Sequence, residues 1–381
     1  MGNVPNLRFP EFSGEWEKTR LGDNCNIQMC KRIMAVQTNT DGGVPFYKIG
    51  TIGGKADAYI SKDLFDEYKA KYSFPHKGEV MITCAGTVGK CIIYNGEDSY
   101  YQDSNIVWID NPKEIISNDF LYHLLSKINW SHLNSTTIVR IYNDDLRNLK
   151  LYYPIHDEQK KITNFLSLIN KRIATQNKII EDLKKLKSAI IHRCYSSQTN
   201  MIPLSELLKQ CSDRNRSGSD LQVLSVSNKY GFIAQSDQFE DREVASDDTS
   251  NYKVVKKGMF AYNPARINVG SIALYEMDGN GIVSPMYVCF TTKSELLPSY
   301  LKYYFASQTF KHEMYKRLEG SVRLCLTFEE LCNIEIHLPS IEQQKNISKY
   351  ISKIENNLSL VDSIFSKYQQ QRRYLLSQMF I

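Results

Sequence analysis

A short segment of this chain occurs twice, 185 positions apart and without a gap. Residues 146–162 read LRNLKLYYPIHDEQKKI, and residues 331–347 read LCNIEIHLPSIEQQKNI. In each copy, a short strand-like run is followed by a proline and then by the start of an amphipathic helix. The sequence therefore predicts a duplicated plan, in which the second half of the chain builds again what the first half builds.

A long helix with a coiled-coil pattern follows each copy of the segment. Apolar residues recur at alternating steps of four and three, which is the spacing of a seam between packed helices. Each seam is interrupted by a basic residue at the same place, Lys187 and Arg372. We therefore predict that the two helices pack against each other. The predicted packing positions are Ile162, Leu166, Ile169, Ile173, Ile180, Leu183, Ile347, Ile351, Ile354, Leu358 and Phe365.

The segments before the helices also correspond, after small shifts. The run KGEVMITCAGTVGKCIIY, residues 77–94, aligns with KKGMFAYNPARINVGSIALY, residues 256–275, so that Gly89 falls on Gly270. Short apolar or alternating runs punctuated by Gly, Asn and Asp are typical of strands. Such runs lie at residues 44–52, 80–94, 104–109, 221–226 and 282–290.

The predicted fold class is α+β, with two related mixed α/β domains and two long antiparallel helices. Each domain comes before one helix in the chain. The predicted boundaries are residues 1–153 for the first domain, 154–198 for the first helix, 199–338 for the second domain and 339–381 for the second helix.

The stretch AGTVGK, residues 85–90, resembles part of a phosphate-binding loop. Such a loop has four residues between its first glycine and the G-K-[ST], and a hydroxyl after the lysine. Here Gly86 is too close and Cys91 follows Lys90, while the second copy has Ser271 in place of the lysine. We therefore interpret Gly89 and Gly270 as tight turns between strands.

The tetrapeptide Asn-Pro-Ala-Arg at residues 263–266 resembles the Asn-Pro-Pro-aromatic motif of amino-methyltransferases. It lacks both the second proline and the aromatic residue. No glycine-rich cofactor loop precedes it after a clear strand. The sequence thus argues against methyl transfer by this chain alone, and we identify no catalytic residues in it.

The composition favours an intracellular chain without a metal site. Nine cysteines, an odd number, occur without a C-x-x-C pair, which is typical of reduced thiols and leaves no close ligand pairs for zinc. No apolar run approaches the roughly 18 residues of a membrane span. The first residues, MGNVPNLRFPEF, do not have the pattern of a signal peptide. We expect a cytoplasmic location.

The whole arrangement resembles the specificity subunit of a type I restriction-modification enzyme. The opening LRFPEFSGEWEKTRLGD, residues 7–23, is similar to the start of many such subunits. So are the two segments from Pro154 and Pro339, where Glu/Gln-Gln-Lys leads into an apolar helix. The stretch YNPARINVGSIAL, from Tyr262, resembles a common segment of their target-recognition domains. The duplicated order of all these segments is more specific than any one of them.

The resemblance implies a function in DNA recognition. In that family, each globular domain reads one half of a split duplex DNA sequence, and the two helices pack antiparallel as a spacer. Two modification subunits dock on the helices, bind S-adenosylmethionine and methylate adenine. Restriction subunits add ATP- and Mg-dependent translocation and cleavage. The resemblance therefore implies no cofactor and no catalysis in this chain, and no contact with a membrane.

Two related domains suit duplex DNA, which has local two-fold symmetry perpendicular to its axis. Residues 162–194 would span about 50 Å as a helix. That length corresponds to roughly 15 base pairs, enough for two short half-sites about one turn apart. Because the two domains differ in their loops, we expect the target sequence to be asymmetric.

The candidate DNA-contacting residues are basic or amide side chains in the predicted loops. Arg and Asn suit bidentate contacts with guanine and adenine edges, whereas any one of them could instead contact phosphate or only solvent. In the first domain they are Lys31, Arg32, Lys55, Thr87, Lys90 and Arg140. In the second domain they are Arg214, Arg216, Asn263, Arg266, Asn268 and Arg323.

Two other functions remain open from the residues alone. The net charge of +5 permits DNA binding without requiring it. A non-catalytic coiled-coil scaffold with two protein- or ligand-binding modules would show little salt dependence and no preference for duplex DNA. An enzyme with an unrecognised site would turn over a substrate by itself. The first long helix is rich in lysine, which fits a solvated face, attraction of DNA or contact with a partner subunit.

Overall fold

The computed structural model describes residues 2–130, 140–197, 199–216, 220–235, 248–320 and 324–381. The chain packs as two compact units. Unit 1 consists of Met1–Thr175 and Ile364–Ile381, and unit 2 of Gln176–Ser363. Since this division falls inside both long helices, each unit contains part of each helix. The domain boundaries given above follow the sequence repeat rather than this division, and they stay a prediction.

The two long helices begin two residues after equivalent prolines. The first runs over His156–Tyr195 and the second over Ile341–Met379, with 40 and 39 residues. Proline disfavours helix at the residue before it, which separates each helix from the strand that precedes it. At 1.5 Å per residue, each helix is about 60 Å long.

The described residues of unit 1 form three small sheets and four short helices besides the long ones. Its strands are β1 (Glu17–Arg20), β2 (Asn26–Gln28), β3 (Val44–Tyr47), β4 (Tyr59–Ile60), β5 (Val80–Thr83), β6 (Cys91–Ile93), β7 (Tyr100–Tyr101), β8 (Ile106–Asp110) and β9 (Lys150–Tyr153). Its short helices are α1 (Leu21–Asn24), α2 (Lys62–Lys71), α3 (Asn118–Lys127) and α4 (Asn143–Arg147), with a 3₁₀ turn at Ala35–Gln37. The sheets have the orders β2-β8-β5-β6, β4-β3-β7 and β1-β9.

Unit 2 repeats much of this plan. Its strands are β10 (Met201–Pro203), β11 (Leu208–Cys211), β12 (Val223–Ser227), β13 (Gly231–Ala234), β14 (Lys253–Val255), β15 (Phe260–Tyr262), β16 (Ile272–Leu274), β17 (Gly281–Val283), β18 (Val288–Thr292) and β19 (Glu335–His337). Its short helices are α6 (Leu204–Leu207), α7 (Pro298–Phe305), α8 (Gln308–Lys316) and α9 (Phe328–Cys332). A 3₁₀ helix covers Pro264–Val269. The labels α5 and α10 belong to the first and the second long helix. The sheets have the orders β11-β18-β15-β16, β13-β12-β17-β14 and β10-β19.

The duplicated plan predicted from the sequence is confirmed in the described strands. The antiparallel sheet β2-β8-β5-β6 of unit 1 has the same connections as β11-β18-β15-β16 of unit 2. Hydrogen bonds repeat as well. The Gly78 amide donates to the Tyr94 carbonyl at 2.8 Å, and the Gly258 amide donates to the Tyr275 carbonyl at 2.9 Å. The aligned segments therefore fold into equivalent hairpins.

Each of the five apolar runs predicted as strands includes residues outside the observed strands. The run at 44–52 is a strand only over Val44–Tyr47, because the Ile52 amide turns back to the Lys48 carbonyl at 2.9 Å. The run at 282–290 is divided between β17 and β18 by a turn, in which the Tyr287 amide donates to the Ser284 carbonyl at 3.0 Å. Apolar side chains continue through both turns, so the pattern hides the break.

A buried glutamine fixes the start of the first long helix to its domain. Gln159 is 1% exposed. Its Oε1 accepts from the Ser117 amide at 2.8 Å, and its Nε2 donates to the carbonyls of Ile115 and Pro154 at 2.9 and 3.0 Å. Ser117 is the N-cap of α3, so one side chain ties this helix to the long one.

The equivalent glutamine of the second copy makes the same three contacts. Gln344 is fully buried. Its Oε1 accepts from the Leu297 amide at 2.8 Å, and its Nε2 donates to the carbonyls of Glu295 and Pro339, both at 2.9 Å. The repeated proline and glutamine are therefore a structural joint, and all three hydrogen bonds of the amide are made inside each unit.

The helix positions predicted to pack are all buried or half-buried. Ile162, Leu166 and Ile169 lie in the core of unit 1, which also contains Leu375 and Met379 from the second long helix. Ile351 lies in the core of unit 2 with residues of the first long helix. The seam thus joins each helix to its domain as well as to the other helix. Whether these positions also support subunit docking stays a prediction.

Candidate nucleic-acid interface

The candidate residues of unit 1 lie on loops at one end of its four-stranded sheet. Thr83, at the end of β5, pairs with Ile106 at the start of β8, and Gln28, at the end of β2, pairs with Trp108. The loops after β2 and β5 and before β8 therefore leave the sheet at the same end. The candidates on these loops are Lys31, Arg32, Thr87 and Lys90.

Two further candidates are brought to this end by hydrogen bonds. The guanidinium of Arg140 donates to the Ser104 carbonyl at 3.4 Å, in the loop before β8. Lys90 Nζ donates to the Ile52 carbonyl at 2.5 Å, three residues before the exposed Lys55. All six candidates of unit 1 thus belong to connected loops.

The charges at this end are partly balanced. Arg32 lies 3.2 Å from Asp103, although 68% of its side chain stays exposed. Lys31 Nζ lies 5.3 Å from the centre of the Tyr72 ring, a cation–π contact. Such contacts hold long side chains over the surface without removing their charge.

The turn between β5 and β6 requires a glycine at position 89. Gly89 has a φ of +81°, and its amide donates to the Thr83 carbonyl at 2.8 Å. A Cβ at this position would lie 2.0 Å from Cδ1 of Trp130. Only glycine combines this left-handed backbone with so close a neighbour. The turn places Thr87 and Lys90 on the surface, as expected from the sequence.

The equivalent connection of unit 2 has a different local structure. Asn263 caps the 3₁₀ helix Pro264–Val269, with its Oδ1 accepting from the Ala265 amide at 3.1 Å. Gly270, with a φ of +91°, ends the helix. Ile267 is buried beneath it, whereas Arg266 is exposed. A rigid, capped helix thus presents an arginine where unit 1 has a glycine turn.

The other candidates of unit 2 lie at the same end of its sheet. Tyr262, at the end of β15, pairs with Val288 at the start of β18, and Cys211, at the end of β11, pairs with Cys289. The candidates on the loops that follow are Arg214, Arg216, Asn263, Arg266 and Asn268, and Arg323 lies outside the described residues. The sheet ends in the two units are equivalent by the repeat, so the loops that carry the candidates are equivalent too.

Some polar groups of these loops already have partners. Arg214 Nη1 donates to Asn251 Oδ1 at 2.8 Å. The Asn268 carbonyl accepts from the Tyr315 hydroxyl at 3.5 Å. Asn263 uses its side-chain oxygen as a helix cap, which leaves its amide group in contact with Met286 Sδ at 3.6 Å. Arg266 and Arg216 are exposed, and whether either of them contacts a base stays a prediction.

The sequence predicted a strand-like run from residue 104, but Ser104 and Asn105 belong to the loop before β8, which begins at Ile106. Asp103 and Ser104 in this loop hold Arg32 and Arg140. Ser104 has a φ of +53°, a conformation that is uncommon for serine. Pattern reasoning identified the charged side chains but not the loop that positions them.

Cys84 and Cys289 are buried thiols. Burial raises the pKa of Cys84 and of Cys289 to about 12, which keeps these thiols protonated and weakly nucleophilic. Within the described ranges, no three His, Cys, Asp or Glu side chains come together as metal ligands would. No helix among the described residues has the length and apolar character to cross a membrane.

The architecture defines a class of proteins: a duplicated α+β chain whose two domains present polar loops at equivalent sheet ends. The family model of the type I restriction modification DNA specificity domain matches residues 13–185 and 217–364. The chain belongs to this family, and the family resemblance suggested by the sequence is confirmed.

Individual relatives agree with this assignment. A Haemophilus influenzae protein described as a type I restriction enzyme specificity subunit is 48% identical over 163 residues, which cover 43% of this chain and 42% of that protein. That match therefore spans less than half of either chain. The MjaVIII specificity subunit of Methanocaldococcus jannaschii is 25% identical over 394 residues, covering 93% of this chain and 88% of that protein.

Solved structures share the fold. The S subunit of a type I restriction-modification system from M. genitalium superposes with a TM-score of 0.62 at 15% identity, covering 99% of both chains. A chain from a structural study of type I R-M complex assembly has a TM-score of 0.56 at 15% identity, covering 96% of this chain and 97% of that chain. The α+β class with duplicated domains and long helices is thus a fold that these proteins have in common.

Proposed function

We propose that this chain is the DNA-recognition subunit of a type I restriction-modification enzyme. In this proposal, each unit reads one half of a bipartite duplex target. The observation that carries the proposal is that the candidate side chains leave equivalent ends of two equivalent sheets. A duplicated reading surface suits duplex DNA, whose backbone offers the same shape to each domain.

The target is expected to be asymmetric, because the equivalent turns differ in chemistry. Unit 1 presents Thr87 and Lys90 from a glycine turn, whereas unit 2 presents Arg266 and Asn268 from a capped 3₁₀ helix. Arg is suited to a bidentate contact with guanine and Asn to one with adenine, whereas Thr can contact more than one kind of base. Two half-sites of different sequence follow from this difference.

The chemistry of the enzyme is assigned to partner subunits. Two modification subunits would bind S-adenosylmethionine and methylate adenine, and restriction subunits would use ATP and Mg. This chain would supply neither a cofactor nor a catalytic residue, and it would act on DNA in the cytoplasm. The first long helix carries exposed lysines such as Lys171, Lys178 and Lys184 along its surface. These residues suit attraction of the DNA between the half-sites or contact with a partner.

Methylome sequencing tests this function directly. Cells that express the chain with its modification subunits should methylate adenine in one bipartite, asymmetric sequence. Cells with the modification subunits alone should not methylate that sequence. An identical methylation pattern with and without the chain would contradict the proposal. If the chain were instead a scaffold that binds a protein or a ligand, its binding to that partner would depend little on the salt concentration.

A further inference from the structure

In unit 1, the segment of residues 7–12, which we call the strap, packs on both long helices. The Leu7 amide donates to the Gln378 carbonyl at 2.9 Å. Arg8 makes a two-pronged ion pair with the buried Glu158, at 2.8 and 2.7 Å. The strap therefore begins with one contact on each helix.

The strap continues along the first long helix. The Phe9 ring meets the Phe165 ring edge-on, with 6.0 Å between their centres. Lys161 pairs with Glu11 and lies 4.9 Å above the Phe9 ring. Four helix positions thus hold the strap, and they are Glu158, Lys161, Phe165 and Gln378.

The sequence repeat relates these four positions to four positions in unit 2. A shift of 185 residues takes them to Gln343, Asn346, Tyr350 and Arg193 respectively. All four line one cavity of about 620 Å³, which we call the second groove. Its size is in the range of pockets that take a small ligand or a few side chains.

The second groove is open where the first is covered. Glu158 and Ile162 are 0% and 1% exposed, because the strap and its neighbours cover them. Their counterparts Gln343 and Ile347 are exposed and half-buried. Tyr350 is 68% exposed, although its counterpart Phe165 is half-buried.

The described residues of the linker before the second domain line this groove at Ser197 and Asn200 without filling it. Only five residues, 196–200, separate the first long helix from β10, whereas sixteen precede β1. The end of this short linker is held by β19, since the Leu338 amide donates to the Asn200 carbonyl at 3.1 Å and His337 contacts the Thr199 carbonyl. Among the described residues, no segment equivalent to the strap covers the second groove.

We propose that the second groove binds a short extended segment of the modification subunit. This inference rests on the proposed function, because it takes that subunit as the partner. The segment would place an aromatic side chain on Tyr350, as Phe9 lies on Phe165, and a carboxylate beside Arg193. Aromatic anchors in a cleft are typical centres of protein interfaces.

The charge of the second groove favours an acidic residue in the bound segment. Among the described residues that line it, none is acidic, and Arg193 and His337 are basic. An arginine like Arg8 would meet the neutral Gln343 instead of a carboxylate, so it would be desolvated without a partner. An acidic residue would instead gain a charged hydrogen bond.

A strap from a second copy of this chain fits less well. It would have to leave its own unit, where Arg8 neutralises Glu158. Glu158 would then remain buried without its cationic partner, with Trp16 Nε1 as a long hydrogen-bond donor at 3.4 Å, which is strongly unfavourable. The same strap would also bring Arg8 to a groove without an acid.

Photo-crosslinking of the assembled complex tests the occupant. The full chain would carry benzoylphenylalanine in place of Tyr350 and be co-expressed with its modification subunit. Tyr230 is the matched control, because it is a tyrosine of the same unit and is 67% exposed. We expect crosslinks from position 350 to one segment of the modification subunit that contains an aromatic and an acidic residue, and none from position 230.

Each outcome has a separate meaning. Crosslinks from position 350 to residues 7–12 of a second copy would overturn the proposal, as would an assembled complex without any crosslink to the modification subunit. Failure of the wild-type chain to assemble with that subunit would instead overturn the proposed function.

Affinity measurements give an independent test. Tyr350→Ala and Arg193→Glu should each weaken binding of the modification subunit by about tenfold or more, the usual effect of removing an interface anchor. Tyr230→Ala should change it by less than about twofold. Because Tyr350 is exposed, its removal should not affect folding, and thermal unfolding of the free chain checks this. Wild-type affinity in both groove variants would show that the groove is not an interface.

Discussion

Lys187 on the first long helix places its Nζ 2.6 Å from Oε1 of Glu355 on the second. The repeat equates this pair with Arg372 and Asn170, and Arg372 Nε donates to Asn170 Oδ1 at 2.7 Å. Each unit thus contains one copy of the same polar contact between antiparallel helices. The basic residue that interrupts each apolar seam has a partner on the other helix, and such a pair favours one register over its alternatives.

Reversal of one charge in this pair should destabilise unit 2. Glu355 is also held by the Tyr303 hydroxyl at 2.9 Å, so Glu355→Lys leaves a cation beside Lys187 and removes two hydrogen bonds. We expect the free energy of unfolding in urea to fall by about 1–2 kcal/mol. The double variant Lys187→Glu/Glu355→Lys should recover part of this loss. Glu67→Lys, which breaks an exposed pair with Lys71, is the control and should cost less than about 0.5 kcal/mol.

The buried glutamines should be among the least replaceable polar residues. Gln159→Ala would leave one amide and two carbonyls without their partners, and Gln344→Ala would do the same in unit 2. We expect each change to lower the free energy of unfolding by about 2–4 kcal/mol. Gln370→Ala, at an exposed position of the second long helix, should have almost no effect. Equal stability of all three variants would show that the joint is not structural.

His123 should make unit 1 sensitive to acid. Burial, together with the charge of the nearby Arg372, lowers its pKa from 6.5 to about 4. Its Nδ1 has no hydrogen-bond partner among the described residues. Because the folded state keeps this histidine neutral while the unfolded chain takes up a proton below pH 6.5, stability falls as the pH is lowered from about 6.5 towards 4.

The size of this effect is measurable by urea unfolding. The contribution of His123 between pH 7.5 and 5 should be about 2 kcal/mol. His123→Phe should remove that part of the pH dependence, since the ring lies against Phe380 in an apolar site. His312→Phe, at an exposed position, is the control. An unchanged pH dependence in His123→Phe would exclude this histidine as the cause.

Arg266 should contribute to sequence discrimination. It is exposed on a 3₁₀ helix that is fixed by the Asn263 cap and by the buried Ile267. Arg266→Ala should weaken binding of the assembled methyltransferase to its cognate site by about 1–3 kcal/mol, and affect random duplex much less. Titrations at two salt concentrations check this. Equal weakening on both DNAs, with a salt slope reduced by about one, would make Arg266 a phosphate contact instead.

The fold was largely predictable because the sequence pattern of each element occurs twice in the chain. The proline, the glutamine and the heptad seam recur at one shift, and the glycine turn recurs after small shifts, so two independent copies support each element. The strand ends were less predictable. Apolar residues continue through the turns after Tyr47 and Val283, and only backbone hydrogen bonds show where pairing stops.

The loops that carry the candidate residues were predictable, whereas the contacts between these loops were not. Arg32 and Arg140 were identifiable as charged loop residues, whereas their contacts with Asp103 and Ser104 depend on a fold that no periodic pattern describes. The buried pair of Arg8 and Glu158 was likewise hidden, because the two residues are 150 positions apart. Sequence periodicity reports burial along one element and not the partner across the core.

The central claim is that each unit reads its own half of the DNA target. An exchange of residues 204–330 for the equivalent domain of another specificity subunit tests it most directly, because these residues contain the candidate loops of unit 2 and leave both long helices intact. Methylome sequencing of cells with the hybrid and the modification subunits should show one half of the methylated sequence changed and the other half retained. A change of both halves, or of neither, would contradict the claim.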